Sequence, residues 1–183
     1  DGFITPTELQ QLNTNLSGRY LYDYLHPYSA GVPEGYGSWE EWWRWSVTEF
    51  VHTLHDSIQA VKPHVKLSAA VLGKYNWSGW QGYGTVYQDA ALWYNEGYLD
   101  HIMPMHYHWT SASGFLGMLE QDCPQCWKIF IQTGIASNRP FTAGPGSYVL
   151  EEYGVWNNHS DIVNACRGLG WVDGFQFFSY GTW

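Results

Sequence analysis

Two periods of apolar residues alternate along this chain. Nearly continuous apolar runs predict strands at Arg19–Leu25, Val65–Leu72, His101–His106, Trp127–Thr133 and Gly174–Ser179. Between them the apolar spacing lengthens to steps of three and four. The clearest case is Ser38–Val61, where Trp43, Val47, Phe50, Val51, Leu54, Ile58 and Val61 fall on one helical face. Ser38 and Glu41 form a capping box at its start, and Pro63 stops it. Further helices are predicted over Val86–Glu96 (Thr85 and Gln88 as a box, Gly97 as terminator), Ser113–Gln121, and Ser160–Leu169 with Asn158 as cap and Gly170 as stop.

Strands alternating with helices imply βαβ units and a parallel sheet. The expected fold class is α/β: a partial or reduced (β/α)8 TIM-type barrel, with about five parallel strands alternating with about four helices. A complete eight-fold barrel typically needs roughly 250 residues, against the 183 here. We therefore expect one domain over residues 1–183, either the C-terminal part of a barrel without its first strands or a reduced, opened barrel. An independent parallel sheet is the alternative. The polar stretch Thr5–Gly18 fits no element.

Composition adds further constraints. Eight Lys+Arg against 17 Asp+Glu give a net charge of −9, which repels phosphate backbones and argues against nucleic acid as a partner. No apolar run reaches the length of about 18 residues that a membrane helix needs. The chain opens at Asp1 without a charged-then-apolar leader, as expected of a processed secreted chain or of a piece of a longer protein. An extracellular or cell-envelope location is the expectation. Aromatics are in excess, with 12 Trp, 14 Tyr and 8 Phe. Trp and Tyr pair a flat apolar face with a polar edge, which suits both core packing and the C–H faces of sugars. Cys123 and Cys126 form CPQC ahead of a predicted strand, which fits a local disulfide or two inert thiols; Cys166 falls on a helix.

Chemistry concentrates where apolar runs end. DHIMPMHYHW, Asp100–Trp109, reads as a buried strand whose tip carries Tyr107, His108 and Trp109. RYLYDYLHPY, Arg19–Tyr28, places Asp23 beside Tyr24 and His26. In parallel α/β folds ligands sit at such C-terminal tips. Glycoside hydrolysis uses two carboxyl groups. Asp23 is the first candidate, as general acid or base. Asp89 and then Glu34 follow for the second, with Glu151 and Glu152 in the loop region before the last helix.

Expected sugar contacts are Tyr24, His26, Trp77, Trp80, His106, Tyr107, His108, Trp109, Gln176 and Tyr180. Trp77, Trp80 and Tyr83 alternate with glycines in the loop Gly73–Thr85, as a stacking platform would. His106 and His108 share a strand face, and with His26 they could serve a metal-dependent deacetylase. HExxH is absent, however, so neither metal nor other cofactor is expected. No GxSxG elbow or phosphate-cradling GxGxxG is present.

The segment Tyr22–Trp109 resembles the glycosyl hydrolase-like ten family, bacterial (β/α)8 barrel proteins related to glycosidases. The resemblance rests on Asp23-Tyr24 with Pro27-Tyr28, on Trp45-Ser46-Val47 through Ile58–Pro63, on Tyr87-Gln88-Asp89 through Trp93, Glu96-Gly97 and Asp100, on Met103-Pro104 with Tyr107, and on Phe177–Tyr180. The chain departs from that pattern in having Met105 and His106 before Tyr107, and in having Asp1-Gly2-Phe3 well ahead of Asp23. The resemblance implies a glycosidase-like barrel acting on a polysaccharide or oligosaccharide. The rival is a non-catalytic carbohydrate-binding or assembly protein on a degenerate barrel, for which unclosed sheet edges would favour self-association.

Overall fold

The computed structural model describes residues 31–121, 124–179 and 181. The predicted strand Arg19–Leu25, and with it Asp23, Tyr24 and His26, lies outside the described residues, as do Tyr180 and Cys123. The chain divides into two units, Asp1–Trp45 and Ser46–Trp183.

In the first unit, a turn at Pro33–Tyr36 leads into helix α1, Trp39–Val61, whose remainder belongs to the second unit. Ser38 caps the helix as its sequence predicts, while the Glu41 carboxylate reaches one residue further back than the N-cap, to Gly37 N. Ser38 Oγ accepts from Glu41 N at 3.2 Å, and Glu41 Oε2 accepts from Gly37 N at 2.8 Å. Trp42 packs edge-on against Tyr36 at 4.9 Å between centroids and stacks on Trp45 at 5.0 Å.

The second unit is a parallel layer with helices interposed. After α1 come β1 (Ser68–Ala69), α2 (Gly82–Thr85), α3 (Ala90–Glu96), β2 (His101–Ile102), α4 (Ala112–Leu119), α5 (Trp127–Phe130) and α6 (Gln132–Ala136). Then follow β3 (Thr142–Ala143), α7 (Ser147–Glu152), α8 (Asn158–Arg167) and β4 (Gly174–Phe175). β1 pairs with β2 in register Ser68 to His101, and β3 pairs with β4 in register Thr142 to Gly174, both parallel. Parallel bridges from Ile102 to Phe141 and from Met105 to Gly144 join β2 to β3. Each strand thus neighbours the next in chain order, and helices make every crossover, which is an α/β arrangement.

One face of this layer is apolar and covered. Val71, Ile102, Phe141 and Ala143 point into a core with Trp93, Tyr94, Phe115, Leu119, Trp127, Ile131, Leu150 and Ile162 from the helices and their flanks. The alternate positions of the strands, Leu72 and Met105 among them, face the other way. From α1, Val47 and Val51 pack against the core and Thr48 Oγ1 accepts from Trp93 Nε1 at 2.8 Å, whereas Phe50, Leu54 and Val61 are exposed. The working face of α1 is narrower than its apolar periodicity suggests. Among the described residues, no helix is long and apolar enough to cross a membrane.

The structure corrects three expectations. Trp127–Thr133 is not a strand but α5 running on towards α6. Trp127 and Ile131 are fully buried while Lys128 and Ile129 are exposed, which is the four-residue step of a helix and not a strand buried on both faces. The sheet instead takes Thr142–Ala143, whose neighbours Pro140 and Gly144-Pro145-Gly146 look like loop in sequence. Glu151 and Glu152 lie in helix α7, not in a loop. The other helices shift at their ends: α3 starts at Ala90, capped by Asp89 and not by the Thr85 box, and Ser111 caps α4.

Candidate functional site

A cavity of about 460 Å³ opens at the C-terminal tips of the strands. From the tip of β1 come Leu72, Gly73 and Lys74, with Trp80 from the loop that follows. Met105, Tyr107 and His108 come from the tip of β2. Helix α7, which springs from the tip of β3, contributes Tyr148, Val149 and Glu152, followed by Tyr153. This is the end of a parallel sheet at which ligands bind.

Local chemistry fixes each wall. The β1 tip is held by Gln88 Oε1, which accepts from Leu72 N at 3.0 Å, and by Trp127 Nε1, which donates to Gly73 O at 2.7 Å. Gly73 is required, because a Cβ there would lie 2.2 Å from the Met105 carbonyl oxygen. The loop carrying Trp80 folds back on the tip through Gly82 N to Lys74 O and Tyr83 N to Tyr75 O, both 2.8 Å. Trp80 itself stays 55% exposed.

Aromatic contacts tie the tips of β2, β3 and β4 together. Tyr107 stacks on Phe178 at 5.8 Å and meets Tyr148 edge-on at 5.6 Å. Burial and the neighbouring Tyr148 raise the Tyr107 hydroxyl above its ordinary value, so it is a neutral hydrogen-bonding group at any physiological pH. Burial and the charge of Lys74 lower His108, which favours a neutral imidazole. Glu152 is exposed and is the one carboxylate among the described residues lining this cavity.

The residues expected from sequence distribute unevenly around this cleft. Tyr107, His108 and Trp80 line it. His106 does not: it is fully buried, its Nδ1 accepting from Gly144 N at 3.1 Å, among the rings of Trp109, Phe115, Trp127 and Phe141 at 5.8–6.2 Å. Burial drives its pKa down to about 3, so the imidazole is neutral and carries its proton on Nε2. Trp77 and Trp109 meet edge-on at 5.6 Å and pack, with Tyr83, against the core. Gln176 Nε2, just after β4, donates to Met103 O, just after β2, at 2.7 Å and so braces the two strand ends across β3.

Asp89 Oδ1 accepts from Leu92 N at 3.3 Å and from the Tyr75 hydroxyl at 2.6 Å, two bonds that hold the start of α3. Glu34 is exposed in the turn of the first unit. Tyr148 and Tyr153 are cleft residues that the sequence pattern does not single out, because the helix beside them is only six residues long; Glu152, a lower-ranked candidate from sequence, also lines the cleft. Among the described residues, no group of three or more His, Cys, Asp or Glu side chains could hold a metal ion. Cys126 is buried, its Sγ donating to Gly117 O at 2.9 Å.

A family model described as Glycosyl hydrolase-like 10 covers residues 13–136, which include Asp23, the tips of β1 and β2 and the Trp80 loop but not α7. No curated protein matches the chain. With two thirds of its length under that model, the chain belongs to the glycosyl hydrolase-like 10 family.

Proposed function

We propose that this protein is a glycoside hydrolase acting on a polysaccharide or oligosaccharide, on a (β/α)-barrel scaffold, outside the cell or in its envelope. The observation that carries the reading is the cleft itself. Trp80, Tyr107, Tyr148 and Tyr153 surround a cavity that also holds a carboxylate, at the strand ends of a glycosyl hydrolase-like chain. Flat rings offer stacking faces to the C–H surface of a sugar, and their polar edges reach its hydroxyls.

Hydrolysis uses two carboxyl groups; the cleft supplies Glu152, and Asp23, outside the described residues, stays the candidate from sequence. One protonates the glycosidic oxygen as the bond to C1 breaks, and the other, ionised, attacks C1 or activates the water that does. Glu152 takes the place that Asp89 and Glu34 hold in the sequence reading, because it lines the cleft while the Asp89 carboxylate is engaged as a helix cap. Tyr107 and His108 hold hydroxyls. The test is the release of reducing ends from a broad polysaccharide panel by wild type beside Asp23→Asn. Cleavage by wild type that falls by 10²-fold or more in the variant supports the reading. Equal rates for the two remove Asp23 from it.

A second reading keeps the cleft and drops the chemistry: a carbohydrate-binding descendant of the barrel. It is favoured by Glu152 being the one cavity carboxylate among the described residues. Glycan binding by the folded protein without product from any substrate selects it.

A further inference from the structure

The cleft holds a cation that hydrolysis does not use. Lys74 follows the β1 tip, with its own carbonyl taken by Gly82 N at 2.8 Å and the preceding carbonyl taken by Trp127 Nε1 at 2.7 Å, so its backbone is fixed against the cavity wall. Its side chain is half-buried and lines the cavity.

Of the other lysines among the described residues, exposed Lys62 forms no ion pair, while two find carboxylates. Lys66 pairs with Asp100 at 3.0 Å and Lys128 with Glu120 at 2.6 Å. Among the described residues Lys74 pairs with no carboxylate within 4.0 Å, although its side chain is half-buried in the cavity wall. Its charge is felt by His108 on the adjoining wall, which helps keep that imidazole neutral. Glu152 lines the same cavity but makes no ion pair with Lys74 within 4.0 Å, so the partly desolvated ammonium lacks a direct counter-charge, and a ligand that brings a negative charge would satisfy it.

Resting on the reading of this cavity as a glycan cleft, we propose that Lys74 receives an anionic substituent of the sugar, so that the substrate is an acidic glycan. The charged oxygens of a uronic carboxylate or of a sulfate ester would accept from the ammonium, while the ring of the same sugar lies against Trp80 or Tyr107. Selectivity then comes from one charge pair inside an otherwise acidic molecule, whose general field disfavours anions that cannot reach Lys74.

The experiment is a tryptophan-fluorescence titration at about 0.15 M salt, where surface charges are screened beyond about 8 Å. The probes are oligogalacturonate, its methyl ester, a chondroitin sulfate oligosaccharide, and neutral cello-, xylo- and chito-oligosaccharides. The proteins are wild type, Lys74→Ala and Lys74→Arg. The expected result is binding of an acidic probe, weakened tenfold or more in Lys74→Ala and largely kept in Lys74→Arg. Preference for galacturonate marks a carboxylate ligand, and preference for the chondroitin probe marks a sulfate. Binding of neutral probes alone, or acidic binding that Lys74→Ala leaves unchanged, overturns the role of Lys74 and leaves the glycan cleft standing. Binding of no probe by folded wild type overturns both.

Discussion

Ser147 Oγ and His159 Nε2 lie 3.0 Å apart, and both side chains are buried. The other ring nitrogen, Nδ1, is 2.9 Å from the Trp156 carbonyl oxygen, so the ring donates there and accepts the serine proton. A serine, a base and an orienting group in line have the arrangement of an activated nucleophile. Ser147 is 0% exposed, however, and no substrate reaches it. The pair is a brace that ties the start of α7, and through it Tyr148 and Glu152, to α8. We expect Ser147→Ala to lose about 1–3 kcal/mol of stability in urea unfolding, the cost of leaving a buried partner unsatisfied. We also expect wild type to resist a serine-directed organophosphonate. Stoichiometric labelling of Ser147 by mass spectrometry would instead make it a reactive group.

The buried His106 makes stability depend on pH. Its pKa falls from the ordinary 6.5 to about 3 on folding. Above pH 6.5 both states are neutral there, and the stabilisation is complete. As pH falls from 6.5 towards 3 the unfolded chain takes up a proton that the folded chain refuses, and up to about 1.4 kcal/mol is lost per pH unit. His101 and His108, also lowered by burial, act in the same direction. The carboxylates of Asp100 and Glu120 are lowered as well and weaken the fold only at more acid pH. His106→Asn, which can still accept from Gly144 N, is expected to be less stable at pH 7 but to show a shallower loss between pH 6 and 5. Parallel slopes in urea unfolding for the two proteins would contradict this.

Gly73→Ala tests the closeness of the β1 and β2 tips. The added methyl would sit 2.2 Å from Met105 O, so the backbone must move. We expect a loss of about 1–3 kcal/mol or more, together with weakened glycan binding, because Gly73 and Met105 both form the cleft wall. A crystal structure of the variant with an undisturbed wall and wild-type stability would contradict the tight approach.

Trp80→Ala separates binding from folding. The ring is 55% exposed, so its removal is expected to change stability by no more than about 0.5 kcal/mol. Loss of a stacking face is expected to weaken glycan binding by roughly tenfold, from an aromatic contact worth about 0.5–1.5 kcal/mol beyond its buried area. Unchanged binding would move the sugar away from the Trp80 side of the cleft.

Periodicity made part of this fold legible and hid the rest. The helix over Ser38–Val61 was readable because a capping box, a long apolar stripe and a proline stop agree, and Ser38 does cap it, with Glu41 reaching back to Gly37 N. The strands at Val65–Leu72 and His101–His106 were readable because both are apolar and end in glycine or polar aromatics. Thr142–Ala143 was not, since a two-residue strand between proline and glycine has no period to detect. Trp127–Thr133 misled because a run of apolar residues is equally at home on a buried helix. In the cleft, Tyr107, His108 and Trp80 were visible as aromatics at a strand tip and in a glycine-rich loop. Tyr148 was not, because only the sheet brings α7 beside them, and Glu152 stood only as one of several carboxylates, in an expected loop that is helix α7. His106 carries the same residue type as His108, and an unbroken strand would put both on one face; the chain turns at Tyr107-His108, so His106 stays in the core while His108 reaches the cleft.

The claim at the centre is carboxylate-driven cleavage of a glycan in the strand-tip cleft. Its most direct test is the rate of reducing-end release from the polysaccharide panel by wild type and by Glu152→Gln, with the fold of each checked by thermal unfolding. The account predicts cleavage by wild type and a rate lowered by about 10²–10⁴-fold in the variant, the usual contribution of a positioned acid or base. Cleavage that Glu152→Gln leaves intact, or no cleavage of any glycan by the folded wild type, would contradict it.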